Sequence, residues 1–236
     1  MLNKILYFFW FVLRPIYYQH LFSLVVRKFL FNHDTSEFKK KAYEWAASNA
    51  TPYNDAMKKI GLYGKFTGLD QETIKEANKL KSQSSVKMGG ASHIHLLYDC
   101  VILSKAQNVI ETGVAYGWSS LAILKALTIN KNGKLFSVDM PYPRKKNEKD
   151  VGIIIPKYLR KNWILFRKPD RPGIIKALQK AGGQIDLCHY DSDKSWWGRH
   201  YAYPILWESL KSKGLFISDD IQDNLYFCLN NIYQCY

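Results

Sequence analysis

The chain has 236 residues, of which 47% are hydrophobic and 23% are charged, and these proportions support a folded core and exclude a disordered or fibrous protein. Its 34 Lys and Arg residues exceed its 20 Asp and Glu residues, which gives a formal net charge of +14. The four cysteines, at Cys100, Cys188, Cys228 and Cys235, have no zinc-ligand spacing, and a chain of this length needs no disulfide framework, so we expect a reducing, cytoplasmic compartment.

Residues 1–31 are rich in aromatic and basic side chains. They hold ten aromatic residues, four basic residues and no acid. The longest apolar run, from Ile5 to Leu13, has nine residues, well short of the roughly 20 that a membrane-spanning helix needs, and no signal-peptide cleavage site follows it. We expect the segment to lie in the headgroup region of an anionic membrane, with Arg14, Arg27 and Lys28 toward the lipid. Packing on the domain or on a second subunit, and a true span, are the alternatives.

Residues 32–90 carry helix signals but no catalytic motif. Two helices are predicted. The first is capped by Asp34, Thr35 or Ser36 and ends at Ser48. The second begins at Asp70 and ends at Lys81. The Gly- and Ser-containing stretch 81–92 reads as a loop. We therefore expect three parts: the interface segment 1–31, a helical region 32–90 and an α/β domain 91–236.

From residue 91 onward, short apolar strands alternate with helices. This alternation predicts a Rossmann-like, doubly wound and mostly parallel sheet with helices on both faces. The predicted strands are 108–112, 134–140, 163–166, 184–191 and 214–220, and the predicted helices are 92–105, 118–127, 174–181 and 201–210.

Ligands of such sheets bind at the carboxyl ends of the strands. The first strand is followed by Gly113 and Gly117, whose G-x-x-x-G spacing lacks the motif that cradles a pyrophosphate. Glu111 closes the first strand and Asp139 the second. A carboxylate at Asp139 suits the two hydroxyls of a ribose, and one at Glu111 suits a cationic amino-acid group. Together they favour S-adenosylmethionine over a dinucleotide as the cofactor.

Acidic residues also follow the fourth and fifth strands. If these strands are neighbours, Asp191, Asp219 and Asp220 converge, and three carboxylates repel one another unless a divalent cation such as Mg²⁺ lies among them. Such a cation would bind a substrate hydroxyl and lower its pKa. Asp193 or Lys194 would then take the proton. Any one of these acids alone is more simply a helix cap.

The α/β part resembles class I S-adenosylmethionine-dependent methyltransferases, above all the small metal-dependent O-methyltransferases of the caffeoyl-CoA, catechol and macrocin type. The stretches that carry the resemblance are VIETGVAYGWSSLAIL, KLFSVDM, IDLCHYDSDKSWWGR and GLFISDDIQDN, within residues 88–227. It implies metal ligation by Asp191, Asp219 and Asp220. The residues that it places around the cofactor are Glu111, Gly113, Gly117, Ser119 and Asp139, with Met88 and Gly89 over its methionine part.

The resemblance leaves the general base open between two neighbouring residues. The position of Lys194 serves in the catechol and caffeoyl-CoA groups, and that of Asp193 is the candidate in the sugar-methylating macrocin type. We rank Asp193 first, because a lysine must lose its proton before it can accept one.

The chain departs from the family pattern at two points. Lys194 stands where sugar-type relatives often have His. Only 16 residues follow Asp220, too few for the helix and antiparallel strand pair that usually complete the fold. A truncated chain, a homodimer that covers the sheet edge and a non-catalytic relative are the three interpretations.

The sequence thus predicts a metal-assisted O-methyltransferase that acts on a small-molecule or saccharide acceptor, peripherally on a membrane. A nucleic-acid methyltransferase is disfavoured despite the charge of +14, because the excess lies in residues 1–31 and 131–171, outside the ligand-facing motifs. The strand before Asp191 also lacks the proline-aromatic motif expected of enzymes that methylate base amino groups. A non-catalytic, membrane-associated binding module is the alternative from another class.

Overall fold

The computed structural model describes residues 8–29, 33–130, 133–142 and 147–230. Five parallel strands form one sheet in the order β3-β2-β1-β4-β5. The strands are β1 (Asn108–Thr112), β2 (Lys134–Val138), β3 (Trp163–Phe166), β4 (Ile185–Tyr190) and β5 (Leu210–Ser218). The predicted parallel, doubly wound sheet is confirmed, and the order reverses between β1 and β4, where such folds open a crevice for ligands.

Helices surround the sheet and precede it. They are α1 (Tyr18–Phe29), α2 (Ser36–Ser48), α3 (Tyr53–Lys59), α4 (Gln71–Lys81), α5 (Ile94–Leu103), α6 (Trp118–Ile129), α7 (Asp170–Ala181), α8 (Trp196–Glu208) and α9 (Tyr226–Leu229). Residues 8–12 are also helical. Short 3-10 turns lie at Pro15–Tyr17, Glu148–Asp150, Arg160–Asn162 and Ile221–Asp223.

The helix starts predicted before the sheet are confirmed by their caps. Of the three candidates for α2, Thr35 is the cap, and its side chain accepts a hydrogen bond from the amide of Phe38. Asp70 caps α4 by accepting from the amide of Thr73. A capping side chain fixes a helix start because it satisfies an amide that has no partner within the helix.

Two predicted element boundaries near the end of the chain are wrong. Helix α8 begins at Trp196 rather than at residue 201, because Ser195 caps it by accepting from the amide of Gly198. Strand β5 runs over residues 210–218 rather than 214–220, since its pairing with β4 already starts at Leu210, opposite Ile185. Residues 219–230 contain a 3-10 turn and α9, and no strand follows β5 within this described stretch.

The N-terminal segment 1–31 is described only in part, since residues 1–7 and 30–31 and the side chain of Lys28 lie outside the described residues. No helix among the described residues is long and apolar enough to cross a bilayer. Free thiols are present at Cys100, Cys188 and Cys228, and Cys235 lies outside the described residues.

The helical region before the sheet shares the core of the α/β part. Alternate strand residues pack on opposite faces of the sheet, so that Val109 contacts one core cluster and Ile110 the other. The cluster around Val109 also contains Met57 and Leu69 from the helical region. The proposed boundaries at residues 31 and 90 stay predictions.

A buried carboxylate joins the two regions. Asp99 on α5 is 2% exposed and accepts hydrogen bonds from the amides of Thr67 and Gly68, at 3.2 and 3.0 Å, and from the hydroxyl of Tyr53 at 2.5 Å. These donors belong to the loop before α4 and to α3, so one side chain holds both against the domain.

Replacing Asp99 with Ala should lower the free energy of unfolding by at least about 2 kcal/mol, because buried donors lose their acceptor. Urea denaturation followed by circular dichroism measures the change. The matched control is Asp55→Ala on α3, whose carboxylate is exposed and lies 4.0 Å from Lys58; we expect a change within about 0.5 kcal/mol. Equal effects of the two substitutions would contradict the anchoring role of Asp99.

Candidate functional site

Two adjoining cavities open at the carboxyl edge of the sheet. The first has a volume of about 510 Å³ and lies over the ends of β1, β4 and β5. The second, of about 360 Å³, lies over the ends of β1, β2 and β4 and is walled on one side by α1. Gly113, Tyr142, Asp191 and Ser192 line both. The two volumes are in the range of cavities that hold small organic ligands, and they meet at the point where the strand order reverses.

The glycine turn after β1 shapes the floor where the cavities meet. Gly113 has φ +83, and a Cβ atom there would collide with the carbonyl oxygen of Asp191. Gly117 has φ +97 and precedes the first residue of α6, and no side chain of the described residues caps this helix. The first-turn amides of α6 are therefore available to an anionic group. Ser119, in that turn, lines the first cavity, whereas Gly117 does not.

Glu111 lies inside the sheet and lines neither cavity. It is 0% exposed, and its Oε2 accepts from the hydroxyls of Ser120 at 2.5 Å and Ser137 at 2.8 Å. Within the described part of the chain, its Oε1 has no hydrogen-bond partner. The expected contact of Glu111 with the amino group of a cofactor stays a prediction.

His189 is a cavity residue that the sequence analysis did not select. It lines the first cavity, is buried, and pairs in register with Glu111 across β1 and β4. Its Nδ1 lies 3.8 Å from Oε1 of Glu111, and neither atom has a hydrogen-bond partner among the described residues. The pairing register of the two strands is the signal that connects these residues, and it becomes available only once the sheet order is known.

Asp139 lines the second cavity, at the end of β2, as the sequence predicts. Its Oδ1 accepts from the amide of Val114 at 3.3 Å and its Oδ2 from the guanidinium of Arg167. Arg167 also binds Glu148 through two nitrogens, at 2.9 and 2.7 Å. Burial raises the pKa of Asp139 to about 6, although Arg167 acts in the opposite direction. In the sequence, Arg167 is only one of the basic residues of the stretch 131–171.

Of the two residues expected over the methionine part of a cofactor, one reaches a cavity. Gly89 lines the first cavity. Met88 is not among the lining residues; its amide donates to the hydroxyl of Tyr116 at 3.2 Å, and its sulfur lies 3.1 Å from Nδ2 of Asn147. Met88 thus holds the loop that carries Gly89.

The acids expected to bind a divalent cation are not arranged as a metal site. The ammonium nitrogen of Lys194 lies 3.0 Å from Oδ1 of Asp191 and bonds directly to Oδ2 of Asp220. Asp219 turns back on its own loop and accepts from the amide of Asp220. Among the residues that the structure describes, no group of three or more His, Cys, Asp or Glu side chains could hold a metal ion. The predicted Mg²⁺ site is therefore not supported, because a lysine ammonium lies between two of its carboxylates.

The two candidate bases face different cavities. Lys194 lines the first cavity and Asp193 the second. Against the effect of burial, hydrogen bonds with Asp220 and Asp191 hold the pKa of Lys194 above its usual range, which keeps the lysine protonated. Asp193 uses its Oδ1 to accept from the amide of Ser195 at 3.1 Å and from its hydroxyl at 2.7 Å. Asp193 thus holds Ser195 through one carboxylate oxygen, and its role as the base stays a prediction.

Part of the chain matches a known family of proteins. Residues 110–221 match a family model described as a methyltransferase domain, and no curated protein sequence matches the chain.

Solved structures of similar fold include an O-methyltransferase from Bacillus cereus in complex with SAH, at 14% identity, covering 72% of this chain and 67% of that chain, with a TM-score of 0.46. A SAH-bound methyltransferase from Podospora anserina is 14% identical over 78% of this chain and 70% of that chain, with a TM-score of 0.49. An O-methyltransferase from Streptomyces achromogenes involved in tomaymycin synthesis, in complex with SAM, is 18% identical over 61% of this chain and 63% of that chain, with a TM-score of 0.46.

The position of the Lys194 ammonium predicts how the site responds to metal ions. In Lys194→Met, Asp191 and Asp220 lose their shared cation, so we expect the affinity for Mn²⁺ to rise by at least about tenfold, or about 1.4 kcal/mol. Isothermal titration calorimetry with MnCl₂ measures it. Lys213→Met, which removes an exposed lysine outside both cavities, should bind Mn²⁺ as the unaltered protein does. Unchanged Mn²⁺ affinity in Lys194→Met would show that the ammonium does not compete with a cation there.

Proposed function

We propose that this chain, which carries a methyltransferase domain, is an S-adenosylmethionine-dependent O-methyltransferase that acts on a hydroxyl group of a small molecule or saccharide. The observation that supports this most strongly is the pair of adjoining cavities at the point where the strand order reverses. Asp139 lines one of them and the first turn of α6 borders the other, so groups suited to a nucleoside and to an amino-acid carboxylate lie on either side of Gly113.

The residues that would hold the cofactor fit its two ends. In the second cavity, Asp139 has carboxylate oxygens that can accept from ribose hydroxyls beside Val114 and Arg167. In the first cavity, Ser119 and the first-turn amides of α6 suit a carboxylate. When bound, S-adenosylmethionine supplies an electrophilic methyl group on a sulfonium cation.

The chain's own groups then act on the acceptor. We assign to Asp193 the removal of the hydroxyl proton, because its carboxylate lines the second cavity and its hydrogen bonds to Ser195 use only Oδ1. Lys194 places a fixed positive charge where the acceptor oxygen gains negative charge. Assistance by a divalent cation is not part of the proposal, since the ammonium of Lys194 lies between Asp191 and Asp220.

Cofactor binding is the first test of this proposal. Asp139→Ala should weaken S-adenosylmethionine binding by at least about tenfold, because the ribose hydroxyls lose a charged acceptor, as measured by isothermal titration calorimetry. Glu148→Ala is the matched control: it also removes a carboxylate partner of Arg167, but Glu148 is exposed and lines neither cavity, so its affinity should stay close to that of the unaltered protein. Failure of the unaltered protein to bind S-adenosylmethionine would overturn the proposal.

The role of Asp193 has its own test. Asp193→Asn keeps an oxygen that can accept from Ser195 but removes the basic carboxylate, so we expect kcat to fall by at least about 100-fold with little change in cofactor affinity. Transfer of a tritiated methyl group to hydroxyl acceptors measures the rate, and calorimetry measures the affinity. A rate that Asp193→Asn leaves unchanged would assign proton removal to another group.

One observation favours a second candidate, a non-catalytic relative that binds ligands only. Arg167 already engages Asp139, and Lys194 already engages Asp191 and Asp220, so internal cations neutralise acids that an enzyme would present to its ligands. Of the two candidate functions, only the first includes transfer of a methyl group. Binding of S-adenosylmethionine without methyl transfer to any hydroxyl acceptor would establish the second.

A further inference from the structure

The N-terminal segment lies across the carboxyl edge of the sheet, beside the cavities. Arg27 on α1 donates to the hydroxyl of Ser195 at 3.3 Å and lies 3.7 Å from Oδ1 of Asp193. Further along, Oδ1 of Asp34 accepts from the amide of Trp196 at 2.9 Å and from Nδ2 of Asn224 at 3.1 Å. The segment is thus tied to the loops that follow β4 and β5.

The two faces of α1 have different surroundings. The side chains that line the second cavity are His20, Ser23, Leu24 and Arg27, which recur at the spacing of one helix face. The opposite face holds Tyr18, Phe22 and Val25, which are 50%, 70% and 43% exposed. Because the first face is turned toward the sheet edge, the second is turned away from the domain.

Exposed apolar side chains also occur in the residues before α1. We call these side chains, together with those of the outward face of α1, the docking face; its members are Phe8, Phe9, Leu13, Ile16, Tyr18, Phe22 and Val25. They are seven of the 13 large hydrophobic side chains that are exposed among the described residues, although they come from a stretch of only 18 residues. A concentration of this kind marks an interaction surface rather than the scattered exposure of ordinary surfaces.

The charge of this surface identifies its partner. Arg14 is exposed between members of the docking face, with its guanidinium 4.4 Å from the ring of Trp10, and residues 1–31 contain no acid. A second copy of this chain would bring like charges together, which opposes association. The aromatic and aliphatic side chains of the docking face, beside the exposed basic side chain of Arg14, suit the interface of an anionic bilayer.

We propose that the docking face binds an anionic lipid bilayer with the carboxyl edge of the sheet toward the membrane, and that the acceptor is a membrane-resident molecule with a hydroxyl-bearing head. The second part rests on the proposed methyl transfer; the first part does not. Since α1 carries part of the docking face and walls the second cavity, a head group at the membrane surface lies next to the site without leaving the bilayer.

Vesicle binding tests the docking face. We expect the full chain to co-sediment with vesicles of phosphatidylcholine and phosphatidylglycerol at least about tenfold more strongly than with phosphatidylcholine alone. Phe22→Asp and, independently, Leu13→Asp should each reduce that partition by at least about tenfold. Arg14→Gln should reduce it by about fivefold on the anionic vesicles only.

The matched control is Tyr63→Asp, which places the same charge on a side chain that is 73% exposed at the opposite edge of the sheet, near the start of β5. Its partition should stay within about twofold of the unaltered protein. Phe22→Asp, Leu13→Asp and Tyr63→Asp should each keep the far-ultraviolet circular dichroism spectrum of the unaltered protein, which reports an intact fold. Equal vesicle binding by Phe22→Asp, Leu13→Asp and Tyr63→Asp would overturn the proposal.

The acceptor class is tested separately. With tritiated S-adenosylmethionine and a washed membrane fraction, we expect the label in the organic phase after extraction, and at least tenfold less of it with Phe22→Asp than with Tyr63→Asp. Label confined to the aqueous phase would overturn the membrane-resident acceptor and leave docking in place. Absence of S-adenosylmethionine binding would overturn the proposed function, while the vesicle result would stand by itself.

Discussion

The site depends on the hydrogen bonds that continue the sheet one residue beyond its strands. The amide of Gly113 donates to the carbonyl of Val138 at 2.8 Å, and the amide of Asp191 donates to that of Thr112 at 3.0 Å. These bonds bring the backbones after β1 and β4 so close that only glycine fits at position 113. The same continuation holds Asp139 and Asp219 at the ends of β2 and β5. The ends of β2, β1, β4 and β5 thus lie side by side, with spacings of about 4.8 Å between neighbouring strands. Both cavities open along this row of strand ends.

A row of acids at such spacings would destabilise the fold if it were not neutralised. The cations come from three separate elements: Arg167 follows β3 and meets Asp139, Lys194 follows β4 and meets Asp191, and Arg27 belongs to α1 and meets Asp193. Cations of the chain itself thus neutralise part of this carboxylate-lined edge. A cationic ligand must therefore displace an internal cation from its carboxylate. The measured affinity of the ligand is then the difference between the free energy of the new ion pair and that of the ion pair it replaces.

The positions of these acids could be predicted from the sequence because they depend on local pattern: a short apolar strand, its end, and the residue after it. The contacts of each acid could not be predicted, because they depend on the direction of its side chain and on partners that are distant in the sequence. Glu111 is one residue before Thr112, and that step turns its side chain to the face of the sheet that α6 covers. Arg167 is 28 residues from Asp139, and Arg27 is 168 residues from Ser195. Such partners become visible only when the chain has folded.

In the folded chain, part of the basic excess behind the net charge of +14 lies at the carboxyl edge of the sheet. Three residues of the basic stretch 131–171 directly follow β3 at the carboxyl edge: Arg167, Lys168 and Arg171. The guanidinium of Arg171 lies 4.1 Å from the ring of Tyr201, and both residues line the second cavity. Part of this stretch is therefore at the same edge as α1, although the two are more than 130 residues apart along the chain. Attraction to anionic lipid falls off within about 10 Å at moderate salt, so charges would add to the proposed membrane docking only where the fold brings them together. This edge is where basic residues from both parts of the chain meet.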